Sequence, residues 1–243
     1  MLTYTAWALE AVLPTGLAPT RTYVSELAAQ DQPRGGLFRT TDLVAGTLLW
    51  AGGLWALLRL PRPSRWATAG WTALLLFGAA TAVDSRLPLS CAATVDRRCA
   101  EREHAGLVPV THLAHTMSSA LALCCALAAM AALTRAARHA APRAAPTPEP
   151  APEPAPSPPS PLARLGPPLV ALELVATVWT LAAVAALEAD HADWSLGLAQ
   201  RAQLGLIAVW LGVLGVSLAR PAPQAQAVPR ARRLVPETGR AGR

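Results

Sequence analysis

The sequence predicts an all-α protein, a polytopic transmembrane helical bundle of about six spans in which the first span is truncated. Of the 243 residues, 53% are hydrophobic and only 15% are charged, whereas a soluble domain carries about 25% charged residues. Five apolar stretches approach the roughly 20 residues that a helix needs to cross a bilayer. Arginines, which supply all 21 basic residues, gather at the ends of these stretches. The composition excludes a disordered chain and argues against a water-soluble enzyme.

The apolar runs set the expected spans. Residues 1–13 are apolar but short, carry Glu10 and stop at Pro14, so we expect them to be the end of a first span. Because no arginine or lysine precedes this run, we expect no cleavable signal peptide. The complete spans are predicted at residues 42–60, 66–83, 108–133, 167–187 and 197–219.

The arginines fix the expected orientation, because basic residues beside a span are retained in the cytoplasm during insertion. With six spans, the arginine-rich connections and the tail fall on one side, which places the N- and C-termini in the cytoplasm. The opposite connections, residues 15–41, 84–107 and 188–196, are then extracytoplasmic. Since the net charge of +6 lies beside spans, we expect the lipid bilayer and its anionic headgroups as partners, and not nucleic acid.

The chain divides into four parts. Residues 1–134 hold the first four spans with two extracytoplasmic loops, and residues 167–219 hold the last two spans. Between them, residues 135–166 form a proline-rich cytoplasmic linker whose alternating prolines favour an extended polyproline II spacer. The alternative for this linker is a ligand for a proline-recognition domain. Residues 220–243 are expected to be a disordered, basic cytoplasmic tail.

The four cysteines are of two kinds. Cys91 and Cys99 lie in the second extracytoplasmic loop, where an oxidising environment permits a disulfide bond. We therefore expect these two residues to be joined. Cys124 and Cys125 are adjacent inside a span and are expected to be inert, small core residues.

Two histidines and a serine share one face of the fourth span. His112, His115 and Ser119 are spaced by three and four residues, which aligns them on a helix. Ionisable groups in a span point into the bundle and suggest a functional site. The pair would supply half of a metal site, with zinc as the candidate ion and Asp84, Asp42 or His191 as further donors. The alternative, which we favour, is that both histidines bond to neighbouring helices and no cofactor is held.

A second group of polar residues surrounds the first extracytoplasmic loop. Ser25 is expected to cap a short surface helix that contains Glu26. Asp42 is expected at the start of a span, where it would complement the helix dipole. Glu10 near membrane depth and Arg201 inside the last span would neutralise one another. The polar cluster predicted from the sequence comprises Glu10, Ser25, Glu26, Arg39, Asp42, Asp84, His112, His115, Ser119 and Arg201.

Several runs resemble those of the DUF998 family of bacterial integral membrane proteins, especially its actinobacterial members. They are YTAWALEAVLPTGLAPTRTYVSELAAQDQPRGGLFRTTDLVAG, then LPLSCAATVDRRCAE followed by HLAH, and GLAQR at the start of the last span. The resemblance implies about six spans in a bacterial cell membrane and no established activity. Family members usually begin with a complete first helix, and the long proline insertion is not a family hallmark.

A more distant likeness is to the seven-span hydrolases that include alkaline ceramidases and progestin-type receptors. In these proteins a serine, an aspartate and three histidines are thought to hold a metal. Residues of the corresponding types are Ser25, Asp42, His112, His115 and His191. Their order and spacing do not match, so no catalytic role is carried over.

The sequence favours a noncatalytic membrane protein that is structural, interacts with lipid or binds a small ligand. The alternative is a metal-dependent intramembrane hydrolase of a lipid or envelope precursor, in which the metal activates water and Asp42 or Glu26 handles protons. A small-molecule transporter is the second alternative, although neither an inverted repeat nor a pair of broken helices is evident.

Overall fold

The computed structural model describes residues 4–60, 64–140, 158–189 and 194–219. Within these ranges the regular elements are helices, which confirms the predicted fold class. Two 3-10 helices, Ala6–Ala11 and Val24–Ala28, come first. The α-helices are α1 (Gly35–Arg59), α2 (Arg65–Asp84), α3 (Arg97–His104), α4 (Val110–His139), α5 (Pro161–Glu188) and α6 (Leu196–Ala219). The proline-rich residues 141–157, His191 and the tail from residue 220 lie outside the described residues.

Five helices are long and apolar enough to cross a membrane: α1, α2, α4, α5 and α6. The expected remainder of a sixth span corresponds in part to the six-residue 3-10 helix Ala6–Ala11, which is too short to cross. This segment nevertheless enters the bundle, because the Tyr4 ring packs edge-on against Phe77 in the middle of α2 at a centroid distance of 5.7 Å. Among the described residues the bundle therefore has five spans and one inserted segment.

The spans form a continuous series of neighbours. Helix α2 packs against both α1 and α4, and α5 packs against both α4 and α6. The α1–α2 contact is close because Gly46 and Gly78 bring the two backbones together: a Cβ on Gly46 would lie 2.5 Å from the backbone nitrogen of Ala82, and one on Gly78 would meet the backbone of Trp50. Small residues allow such approaches between helices in membranes.

The bundle has two ends, which are named here by their residues. The disulfide end is the end at which α1, α4 and α6 begin and α2 and α5 end. The connection that contains Cys91 and Cys99 is located there. At the arginine end, α1 stops at Arg59 and α2 starts at Arg65. The first connection is bound to the start of α6 at the disulfide end, since the Gly197 amide donates to the Thr20 carbonyl at 3.0 Å.

Helix α5 starts earlier than the apolar run suggested. Ser160 caps it by accepting a hydrogen bond from the Ala163 amide at 3.2 Å, and Pro161 occupies the first turn, where its missing N–H costs nothing. The expected start at Pro167 instead lies inside the helix, which continues through Pro167 and Pro168. Prolines are tolerated within transmembrane helices because neighbouring groups satisfy the freed carbonyls.

The predicted disulfide bond between Cys91 and Cys99 is present. It closes a short loop that precedes and includes the start of α3, and both cysteines are buried. The two remaining cysteines are free thiols in α4: Cys125 is buried as expected, whereas Cys124 is exposed and the expectation that it is a core residue is wrong.

We expect thiol labelling to distinguish these two pairs of cysteines. In the unreduced protein, a maleimide added under denaturing conditions should label Cys124 and Cys125 only, and reduction should add two labelled sites. The double variant Cys91→Ser/Cys99→Ser should show no increase on reduction and should lose roughly 2 to 3 kcal/mol of stability, because the loop constraint on the unfolded chain is lost. Four reactive thiols before reduction would contradict the bond.

Candidate functional site

A cavity of about 480 Å³ opens within the bundle towards the disulfide end. Its walls come from α1, α2, α4, α5 and α6, from the inserted N-terminal segment and from the connections above. Phe77, Leu123 and Ile207 line its deep part, near the middle of their helices, whereas Glu26 and Glu103 line its upper part. The volume lies within the usual range of sites for small molecules.

The charged lining of this cavity is acidic. Seven of the ten polar residues predicted from the sequence line it: Ser25, Glu26, Asp42, Asp84, His112, His115 and Ser119. Among the described lining residues five are carboxylates, two are histidines and none is an arginine. The carboxylates are Glu26, Asp42, Asp84, Glu103 and Glu188.

Asp84, the last residue of α2, is held by α4. Its carboxylate accepts hydrogen bonds from the hydroxyls of Ser118 and Ser119, the latter at 2.9 Å. His115 Nδ1 lies 3.2 Å from Asp84 Oδ1, although the angle does not make this contact a hydrogen bond. The spacing of His115 and Ser119 on α4 thus brings both residues to one carboxylate.

Asp42 occupies a different position from the one expected. Helix α1 begins at Gly35, so Asp42 lies two turns inside the helix and not at its start. The earlier start is stabilised by Arg39, which donates from Nη1 to the Ala28 carbonyl at 2.7 Å. Asp42 lines the cavity within electrostatic range of Asp84, and it makes no hydrogen bond with another described residue. It is therefore the lining carboxylate that has neither a hydrogen bond nor an ion pair with another described residue.

His112 is bound to the disulfide connection. Its Nδ1 accepts a hydrogen bond from the Ser90 backbone amide at 3.2 Å, so the neutral ring carries its proton on Nε2. That nitrogen lies 3.5 Å from Glu103 Oε1. The two imidazoles therefore approach different carboxylates, and no group of three or more metal-ligating side chains converges among the described residues. Within the described residues the two histidines are therefore not brought to one metal position, and His191, the third histidine considered as a donor, lies outside them.

Glu26 ties the second 3-10 helix to the disulfide connection. It is 1% exposed and accepts hydrogen bonds from the Tyr23 amide at 3.1 Å, the Thr94 amide at 2.8 Å and the Thr94 hydroxyl. Burial raises the pKa of Glu26, while these bonds oppose that shift. Ser25 lies inside the 3-10 helix and does not cap it, because the residue before the helix is Tyr23.

Acidic groups also surround Tyr23 at the upper part of the cavity. Burial first, and then the charges of Glu188, Glu26 and Glu103, raise the pKa of Tyr23 to about 12. Three carboxylates from separate segments thus lie within electrostatic range of one hydroxyl group. Their convergence was not evident from the sequence.

The other predicted polar residues are structural. Arg201 Nε and Nη2 donate to the two carboxylate oxygens of Glu10 at 2.5 and 2.6 Å, and both side chains are less than 10% exposed. Arg201 Nη1 also donates to the carbonyls of Thr22 and Gly197 at 2.9 and 3.0 Å. Through Arg201, the inserted segment and the connection that follows it are both bonded to α6 beside the cavity.

Sequence reasoning missed several residues at or below the cavity. Gln200 and Gln203, three apart on α6, both line it. Glu173, in the middle of α5, is 0% exposed. A carboxylate inside an apolar span is a signal for function that the sequence did contain.

These features define a multi-pass helical membrane protein with an acidic cavity among its helices. The family model for DUF998, a protein family of unknown function, matches residues 1–151. The chain therefore belongs to the DUF998 family. The matched range covers α1 to α4 and ends before α5, so the similarity seen around residues 197–201 lies outside it. No curated protein and no solved structure matches the chain.

Proposed function

We propose that this protein is a noncatalytic small-ligand-binding membrane protein whose cavity takes an organic cation with an apolar body. The ligand enters at the disulfide end, which we assign to the extracytoplasmic face of a bacterial cell membrane. The arginine end and the C-terminal tail then lie on the cytoplasmic side, whereas the inserted N-terminal segment lies on the extracytoplasmic side, because the cytoplasmic N-terminus expected from six spans does not agree with five spans. The acidic, arginine-free lining of the cavity carries this proposal.

Charge complementarity supports a cation. Like charges a few ångströms apart repel one another strongly where water is excluded. His115 and two hydroxyls offset Asp84, and backbone amides offset Glu26, but no described donor or cation offsets Asp42. A positively charged group between Asp42 and Asp84 would relieve their repulsion.

The walls of the cavity favour an apolar body on that cation. Trp7, Phe77 and Ile207 line it together with the carboxylates. The indole Nε1 of Trp7 has no hydrogen-bond partner, and its ring offers a face for cation–π contact. A purely hydrated ion would leave this apolar surface without a partner.

A pair of probes of the same shape and opposite charge tests the proposal. Tetraphenylphosphonium binding to the protein in nanodiscs is measured with an ion-selective electrode, and tetraphenylborate is the matched anion. We expect saturable binding of the cation only. Asp42→Asn should raise its Kd roughly tenfold to a hundredfold, since an interaction with an ionised group contributes about 1.5 to 3 kcal/mol.

The control variant is Glu101→Gln, which removes a carboxylate from an exposed ion pair on α3, away from the cavity. It should leave the Kd unchanged. Equal binding of the anion, or an unchanged Kd in the Asp42→Asn variant, would show that the ligand is not selected by charge in this cavity.

At the arginine end we propose contact with anionic lipid headgroups. The guanidinium groups of Arg65 and Arg135 lie 5.4 and 4.7 Å from the centroid of the Trp66 ring. An interfacial tryptophan beside two arginines at span ends is typical of a headgroup region. This placement supports the proposed orientation.

A further inference from the structure

Glu173 is the deepest carboxylate among the described residues. It lies fifteen residues from the end of α5 at Glu188 and twelve from its start at Pro161, or about 22 and 18 Å along the helix axis. It is 0% exposed, and no donor meets either carboxylate oxygen with full hydrogen-bond geometry, although the side-chain amide of Gln203 is close enough to interact with it. The ligand-binding role proposed above does not account for this residue.

Two side chains connect Glu173 to the cavity. Gln203 lies beside it, donates from Nε2 to Thr177 Oγ1 at 2.8 Å and also lines the cavity. Tyr4 lines the cavity as well, and its hydroxyl is within electrostatic range of both Glu173 and Asp42. A positive charge in the deep part of the cavity, beside Tyr4 and Gln203, would therefore interact electrostatically with the Glu173 carboxylate.

An ionised carboxylate without hydrogen bonds in a membrane interior is unfavourable unless a cation or a proton neutralises it. Arg201 does not do so, because its guanidinium is already bound to Glu10. A bound proton is the neutralising partner that needs no additional space. The other titratable side chains that line the cavity are Tyr4, Tyr23, Glu26, Asp42, Asp84, Glu103, His112, His115 and Glu188, and Cys125 and Arg201 are buried in α4 and α6.

We propose that Glu173 is a proton-binding site that exchanges its proton for the organic cation. When the cation reaches Tyr4 and Gln203, its positive charge favours the ionised carboxylate. The O–H bond of the Glu173 carboxylic acid breaks, the proton passes to water in the cavity, and the ligand supplies the compensating charge. No electrons are transferred. This inference rests on the proposed function and adds an exchange of one cation for one proton.

Proton release on ligand binding tests the exchange. Tetraphenylphosphonium is added to the purified protein in a weakly buffered solution that contains a pH indicator. The change in the absorbance of the indicator gives the number of protons released. We expect wild-type protein to release up to one proton per bound cation. Glu173→Gln should abolish the release, and Glu101→Gln, the matched loss of an exposed carboxylate, should leave it unchanged.

Infrared difference spectroscopy of the wild-type protein gives a readout that does not depend on the folding of a variant. Ligand addition should remove the C=O band of a protonated carboxylic acid and add a carboxylate band. Cation binding without proton release, or release that persists in Glu173→Gln, would overturn the inference while leaving the proposed function intact. Failure of the wild-type protein to bind the cation would overturn both.

Discussion

Replacing Arg201 with methionine should destabilise the protein by about 3 to 5 kcal/mol, the usual cost of removing one partner of a buried ion pair. The guanidinium bonds to Glu10 twice and to the carbonyls of Thr22 and Gly197. Its loss leaves the Glu10 carboxylate buried and uncompensated and frees the inserted segment. Unfolding of the detergent-purified protein, followed by circular dichroism, measures the change.

The double variant Glu10→Gln/Arg201→Met should recover part of this loss, because no buried charge then remains unpaired. The surface variant Arg98→Met is the matched control and should stay within about 0.5 kcal/mol of the wild type. A stability of Arg201→Met equal to that of Arg98→Met would show that the ion pair does not hold the inserted segment.

Replacing Gly78 with alanine should cost about 3 kcal/mol or more, at or above the upper part of the range for overpacking. The added methyl group would meet the backbone of Trp50, the carbonyl carbon of Leu49 and the carbonyl oxygen of Gly46. None of these atoms belongs to a side chain that can rotate away, so α1 and α2 would have to separate. Thermal unfolding and the yield of monodisperse protein after size-exclusion chromatography report the effect.

Gly52→Ala is the matched control on α1, because a Cβ at Gly52 meets no atom within 4 Å. It should be neutral or stabilise the protein by up to about 1 kcal/mol through helix propensity. Equal losses in Gly52→Ala and Gly78→Ala would indicate a general intolerance of alanine and not a close contact between two backbones.

The spans could be predicted because lipid imposes a length and an apolar composition on each of them. The polar starts of helices carry no such signal. The residues before Asp42, GGLFRTT, look like a loop, yet they form the first two turns of α1, where Arg39 bonds to carbonyls of the preceding segment. Asp42 was for that reason predicted at a helix start, whereas it faces the cavity.

Helical spacing also predicted that His112, His115 and Ser119 lie on one face, and Asp84, which contacts His115 and Ser119, was among the donors considered from the sequence. The partner of His112 was not among them. Glu103 approaches His112 only because the disulfide connection folds over the end of the bundle. Such contacts join residues from separate segments, and no local pattern encodes them. Glu173 differs, because its position in an apolar span was visible in the sequence.

The cavity is assembled from both sides of the proline-rich residues 141–157. Asp42 and Asp84 precede that segment and lie in the family-matched range, whereas Thr180, Gln203 and Ile207 follow it. Under the proposed function, the carboxylates Asp42 and Asp84 and part of the apolar wall, which includes Ile207, are thus supplied by two different pieces of the polypeptide. Exchanging the second helical hairpin between homologues is a route to a new ligand spectrum that leaves Asp42 and Asp84 untouched.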